Sequence, residues 1–95
     1  MAIAVHCDGR IVFANPAGAH LFGARDTADL VGRQVHALVH PEDWPAAADR
    51  IRRMLHGDTG LYPVEDRYGR IDGTTIPVEV TAAPLRYEGR PAVQV

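Results

Sequence analysis

Two Asp-Gly pairs, Asp8-Gly9 and Asp72-Gly73, each lie between runs of β-forming residues. Both central residues of a type I′ turn need positive φ, and Asp-Gly is a preferred pair there. The first pair therefore predicts a tight hairpin that joins a strand at residues 3–7 to one at residues 11–14. Hairpins near both ends of the chain favour an antiparallel sheet over a parallel one.

The second half of the chain is predicted to be mainly β-structure. A strand over residues 62–71 leads into the second Asp-Gly pair, and residues 76–83 alternate apolar and other side chains with a period of two. Residues 84–87 extend that strand irregularly, and Glu88-Gly89 turns the chain again. Residues 90–95 form a last strand, which we expect to be truncated at its end.

Helices are predicted between the two β regions. Asn15-Pro16 is a good helix start, and that helix ends near Phe22, while residues 28–31 and a piece around residues 35–39 form two more short helices. The longest helix begins with Asp43 as its N-cap and ends at His56-Gly57. Apolar residues at spacings of three and four give it one buried stripe: Trp44, Ala47, Ala48, Ile51, Met54 and Leu55.

Composition limits the function classes. A length of 95 residues predicts one domain, residues 1–95, and a net charge of -2 gives no basic excess for binding nucleic acid. The apolar runs are too short for a membrane helix, and the first residues have no signal-peptide pattern, so no membrane contact is expected. Cys7 is the single cysteine, which excludes an intrachain disulfide and fits a cytoplasmic location.

Nothing in the sequence indicates catalysis. The chain has no serine, no phosphate-binding glycine loop and no metalloprotease motif, so we do not expect an enzyme. Asp8, Asp66 and Asp72 are interpreted as turn and sheet-surface residues.

His36 and His40 are four residues apart, a spacing that would place both imidazoles on one face of a helix and could suit a zinc ion. Pro41 breaks such a helix, and Asp43 is assigned to capping the next one. Surface histidines are therefore the preferred interpretation, and no metal ligand is assigned.

Four segments in this order resemble the PAS family. Residues 8–17 are similar to its "DGxIxxxNxA" segment, residues 30–33 to "LxG+", residues 40–43 to "hPxD", and residues 72–80 to "DGxxxPVEV". The resemblance implies an α+β fold: a five-stranded antiparallel sheet in the order 2-1-5-4-3, with helices on one face enclosing a small pocket. It also implies a sensory module that forms homodimers and relays a signal to an attached output domain, such as a histidine kinase or a cyclic-di-nucleotide enzyme.

The resemblance also bears on cofactors. Haem-binding relatives carry an axial histidine on the longest helix, where this chain has alanines. Light-sensing relatives carry a reactive cysteine in the stretch that matches residues 32–39, and this chain has no cysteine there. Haem and covalent flavin are therefore not expected, while a non-covalent flavin stays an alternative. Cys7, on the first strand, is interpreted as a small half-buried apolar side chain.

The pocket is predicted to be apolar. Its expected lining residues come from the sheet and the helices: Val12, Ala14, Val35, Leu38, Ile51, Met54, Val78, Val80 and Ala82. Such a set fits either a filled core or a site for a small apolar ligand. The predicted function is a sensory and dimerisation module, and the alternative is a protein–protein interaction domain without a ligand.

Overall fold

The computed structural model describes all residues, 1–95, as an antiparallel sheet with helices inserted between its second and third strands. A 3₁₀ turn, Val35–Leu38, precedes the longest helix. The elements in chain order are β1 (Ala4–Cys7), β2 (Arg10–Ala14), α1 (Pro16–Leu21), α2 (Thr27–Leu30), α3 (Trp44–Leu55), β3 (Val64–Gly69), β4 (Thr75–Val80), β5 (Ala83–Tyr87) and β6 (Arg90–Gln94).

The strand order confirms the predicted sheet in outline. Four strands pair in the order β2-β1-β6-β5, and β3 pairs with β4 as a separate hairpin. The strand predicted from residue 76 onwards is interrupted at Thr81 and Ala82, which divides it into β4 and β5. With β4 and β5 counted as one strand, the order is the predicted 2-1-5-4-3.

The two tight turns have the backbone that their residues favour. Asp8 and Gly9 have φ values of 52° and 78°, and Glu88 and Gly89 have values of 50° and 77°. Positive φ at both central positions is the type I′ geometry. The turn at Asp72 is different: its Oδ1 accepts hydrogen bonds from the N–H and hydroxyl of Thr74, at 2.9 and 2.6 Å, and the loop is longer than two residues.

Asn15 connects the chain start to α1. Its Oδ1 accepts from Gly18 N–H at 2.7 Å, which caps the helix, and from Ile3 N–H at 3.0 Å. Its amide nitrogen donates to the Met1 carbonyl at 2.7 Å. Because a Cβ atom at Gly18 would lie 2.5 Å from the Ile3 carbonyl oxygen, this close contact requires glycine.

Asp43 precedes α3 as predicted, but its side chain does not cap the helix. Its carboxylate instead accepts three hydrogen bonds from Arg67 on β3, from the backbone N–H at 2.8 Å, from Nε at 3.1 Å and from Nη2 at 2.9 Å. The hydrogen bonds from the Arg67 side chain and backbone lower the pKa of Asp43 to about 2. The prediction that the Asp43 side chain caps α3 is therefore wrong. Its carboxylate instead connects the start of α3 to the β3–β4 hairpin.

The main core lies between the helices and the sheet. Leu30 is fully buried there, and Phe22, which follows α1 directly, stacks on Tyr68 of β3 with ring centroids 5.2 Å apart. The opposite side of the sheet, here called the outer face, carries a smaller apolar cluster of Val5, Cys7, Val12, Leu85, Tyr87 and Ala92. No helix in the chain has the length and apolar character needed to cross a membrane.

Candidate functional site

A small cavity of about 40 Å³, here called the inner cavity, lies between the helices and the sheet. Its wall is mostly apolar. Four of its lining residues carry polar groups: His6, Asp66 and the two tyrosines Tyr62 and Tyr68. The apolar residues around it are Ala4, Ile11, Phe22, Val35, Leu38, Val39, Ala47, Ile51, Val80 and Val95. Cavities with a few polar groups in an apolar wall are typical ligand sites.

Asp66 and Arg50 form a buried ion pair at this site. Arg50 Nη2 donates to both carboxylate oxygens of Asp66, at 2.8 and 2.6 Å, and the two side chains are 17% and 8% exposed. Burial alone would lower the pKa of Arg50, but the hydrogen bond and charge of Asp66 raise it overall. The guanidinium also lies 5.7 Å from the ring centroid of Tyr62, a cation–π distance. Arg50 Nε is buried without a hydrogen-bond partner.

His6 points from β1 toward the helices and is 5% exposed. Burial lowers the pKa of its imidazole to about 4, since the charged form would lose its hydration there. The ring is therefore neutral at pH 7, with one nitrogen able to donate and the other able to accept. Neither nitrogen forms a hydrogen bond with a protein group, and neither is completely buried, because Arg50 Nε is the one fully buried polar side-chain atom without a partner.

Tyr68 separates the inner cavity from a larger open groove of about 340 Å³. This groove runs between the start of β1 and the unpaired edge of β4, and its wall includes Ile3, Leu21 and Val78. Burial raises the pKa of Tyr68, so its hydroxyl stays protonated at any physiological pH. The stacked Phe22 and Tyr68 rings form part of the boundary between the two spaces, together with Ala4, Val80 and Val95.

A second open groove, here called the α3 groove, lies on another side of the inner cavity. It has a volume of about 460 Å³ and runs between α3 and the strands β1 and β6. Three residues line both this groove and the inner cavity: His6, Val35 and Ile51. These three residues therefore lie between the inner cavity and the α3 groove.

The structure places the predicted pocket residues in several different environments. Val35, Leu38, Ile51 and Val80 line the inner cavity. Val78 and Ala82 line the groove beside β4, Met54 lies near Ala82 and Pro84 in a third depression, and Ala14 is buried in the core.

Val12 does not lie with the other predicted residues, because it packs on the outer face. The β1–β2 pairing contains a bulge: Val5 pairs with Phe13 while His6 pairs with Ile11. This extra residue shifts the alternation, so that Ile11 and Ala14 both face the helices and Val12 does not. The prediction for Val12 assumed an uninterrupted period of two.

The polar residues of the site were missed by the sequence interpretation. Asp66 was assigned to the sheet surface, but it is buried, because Val64, Asp66 and Tyr68 alternate on the inward side of β3. The same period-two rule would have found it. Arg50 lies between the buried residues Ala47 and Met54 on α3, which places it next to the apolar stripe.

The two histidines weighed as metal ligands have other contacts. The His36 ring lies 5.6 Å from the Trp44 ring, and His40 Nδ1 accepts a hydrogen bond from the Glu42 N–H at 3.1 Å. Cys7 is buried on the outer face, where its Sγ donates to the Pro91 carbonyl at 3.3 Å. None of these residues lines the inner cavity.

Comparison with known proteins agrees with this architecture. The chain is 31% identical over 93 residues to sporulation kinase A of Bacillus subtilis (strain 168), a match that covers 98% of this chain and 15% of the kinase. The PAS domain of a protein from Colwellia psychrerythraea matches with a TM-score of 0.80 and 22% identity, over 98% of this chain and 80% of that one. A PAS domain from a two-component sensor histidine kinase matches with a TM-score of 0.75 and 17% identity, over 98% and 78%.

The family profile described as the PAS domain matches residues 1–95, which is the whole chain. The chain spans about 15% of the length of the kinase relative, so the likeness concerns the PAS region and not the kinase activity. The fold, the strand order and the profile agree, and the chain belongs to the PAS domain family of sensory domains from signalling proteins.

Proposed function

We propose that this PAS domain detects a small molecule in the inner cavity and relays its presence to an output domain of a histidine kinase or a cyclic-di-nucleotide enzyme. One observation carries the proposal: the inner cavity has four polar or hydroxyl-bearing side chains, those of His6, Tyr62, Asp66 and Tyr68, in a mostly apolar wall. Burying polar groups is costly unless they are hydrogen-bonded, so polar side chains in a cavity indicate a binding role more than a packing role.

The relay would use the elements that enclose the cavity. Arg50 and Ile51 lie on α3, and His6 and Val95 belong to the sheet around β1 and β6. A ligand that contacts both layers changes the equilibrium between two arrangements of helix and sheet only if it binds one arrangement more tightly. We assign no catalytic residue to the domain itself, and the catalytic reaction would belong to the output domain.

Native mass spectrometry of the purified protein tests this proposal. We expect a stoichiometric small molecule that is retained under gentle ionisation and released when the protein unfolds. The matched variants are Ile51→Trp, which fills the cavity wall, and Leu55→Trp, which changes an exposed residue of the same helix. Two results would contradict a sensory cavity. One is that the Ile51→Trp variant still retains the molecule. The other is that protein prepared in several host growth conditions carries no bound molecule and also takes up no xenon.

The outer face supports a second candidate function, a protein–protein interaction domain that forms homodimers. Its apolar cluster includes Leu85 and Tyr87, and the neighbouring Phe13 of β2 is 46% exposed. Contiguous exposed apolar surface often marks an interface. Analytical ultracentrifugation separates the candidates: a dimer abolished by Phe13→Glu but not by Val31→Glu, with no bound molecule, would favour the interaction function. Val31 is a suitable control because it is a comparably exposed apolar residue on α2's C-terminal end.

A further inference from the structure

We propose that the inner cavity selects a small, electrically neutral molecule with one hydroxyl or carbonyl group, and that the His6 imidazole is the hydrogen-bonding anchor for that group. This inference rests on the proposed function, because it specifies the ligand class of the same cavity. It adds a size limit, a charge limit and a named anchor, each of which comes from a separate observation.

The size limit comes from the volume of the cavity. About 40 Å³ corresponds to roughly three water-sized spheres, each needing about 10–15 Å³. A molecule of about three to five non-hydrogen atoms fits this space without moving the wall. Larger ligands would have to displace Ile51 or Tyr68, which separate the cavity from the two grooves.

The charge limit comes from the groups that face the cavity. Asp66 is the one carboxylate in the wall, and its charge is paired with Arg50 at 2.6 Å. Tyr62 and Tyr68 add hydroxyl groups, and His6 is neutral at pH 7 because of its burial. A charged ligand would therefore lack a free counter-charge in a desolvated site, which strongly disfavours its binding.

The anchor is assigned by burial among the polar groups of the wall, because Tyr62 and Tyr68 are both more exposed than His6. Arg50 has an unpartnered Nε, but Arg50 does not line the cavity, and the oxygens of Asp66 already accept from Arg50. His6 lines the cavity, is nineteen-twentieths buried and has no hydrogen-bond partner. A neutral imidazole can donate to or accept from a hydroxyl group and can donate to a carbonyl.

His6 also lies on the access route. The α3 groove and the inner cavity share His6, Val35 and Ile51, so a molecule that passes from the groove into the cavity moves between these side chains. The anchoring group is therefore the first polar group that such a molecule meets inside the protein. Polar groups placed in this way orient a ligand that is held mainly by apolar contacts.

The experiment is an NMR titration of the purified protein with matched three-carbon probes, 1-propanol, propionate and propylammonium, and with xenon. We expect saturable binding of 1-propanol in the millimolar range, as for ligands of few atoms, and binding of both ions that is about ten-fold weaker or more. The ¹⁵N shifts of the His6 ring should move with 1-propanol and not with xenon. His6→Leu should weaken 1-propanol binding about five-fold and leave xenon binding in place, while His20→Leu, at an exposed position of α1, serves as the matched control.

The outcomes separate this inference from the proposed function. Binding of xenon and of all three probes with equal affinity, or binding of 1-propanol without a change in the His6 ring shifts, would refute the anchor and leave the sensory cavity standing. The shift measurement uses the unchanged protein, so it decides the question even if His6→Leu does not fold. Absence of both xenon and 1-propanol binding would overturn the cavity and the inference together.

Discussion

Acid should destabilise this domain through His6 before any of the carboxylates with lowered pKa values begins to act. The unfolded imidazole has a pKa of about 6.5, whereas burial lowers the folded value to about 4. Between these values the unfolded chain binds more protons than the folded one, so stability falls as the pH falls. The contribution of His6 to the free energy of unfolding is therefore at its maximum above about pH 6.5, and it decreases progressively as the pH falls toward 4.

The magnitude follows from the two pKa values. Between pH 7 and pH 4.5, the free energy of unfolding should decrease by about 2 kcal/mol because of His6 alone. Asp43 has its pKa lowered to about 2, so the stability that it contributes is lost only below pH 4 and does not overlap strongly. Asp66 lies in the same cavity wall as His6, but its hydrogen bonds go to Arg50.

Urea unfolding monitored by Trp44 fluorescence at several pH values measures this effect. The comparison is between the natural protein and His6→Leu, which has similar volume and does not titrate. The difference in unfolding free energy between the two should change by about 2 kcal/mol over this pH range, whereas His20→Leu should follow the natural protein. Parallel pH profiles for the natural protein and His6→Leu would refute the argument that burial of His6 controls acid stability.

Three further predictions concern the packing around the cavity. Asp66→Leu should destabilise the domain by about 3 kcal/mol because it leaves the Arg50 charge buried and unpaired, while the double variant Arg50→Leu with Asp66→Leu should lose less. A double-mutant cycle of these two substitutions in chemical denaturation measures the coupling, and additive losses would contradict it. Gly18→Ala should lower stability by about 1–3 kcal/mol in thermal unfolding, because the added Cβ meets the Ile3 carbonyl, and an unchanged midpoint would argue against that contact. Ile51→Ala should widen the access route and speed xenon exchange in NMR, and an unchanged exchange rate would place the route elsewhere.

The hairpins could be predicted because their signals are local. Asp8-Gly9 and Glu88-Gly89 set the backbone by their own φ preferences, and no distant contact is needed to interpret them. The interruption at residues 81–82 depends on how β4 and β5 pair with different partners, so the local alternation could not reveal it. The bulge in β2 is a tertiary feature of the same kind.

The candidate site was predicted only in its apolar part. Val35, Leu38 and Ile51 were named for their apolar character and spacing, and the structure places them in the wall of the inner cavity. Asp66 was assigned to the surface by residue type, although Arg50 compensates its charge in the interior. Pairing across 16 positions of sequence cannot be derived from either residue alone.

The unpaired edge of β4 has a consequence for association between molecules. An exposed strand edge offers free backbone groups to a second chain and so promotes edge-to-edge aggregation. Pro77 lies within β4 and has no N–H to donate, and Glu79 places an exposed charge two residues further along the same strand. These two residues make β4 a poor template for intermolecular strand addition, so the separation of the β3–β4 hairpin from the rest of the sheet does not by itself make the domain prone to aggregate.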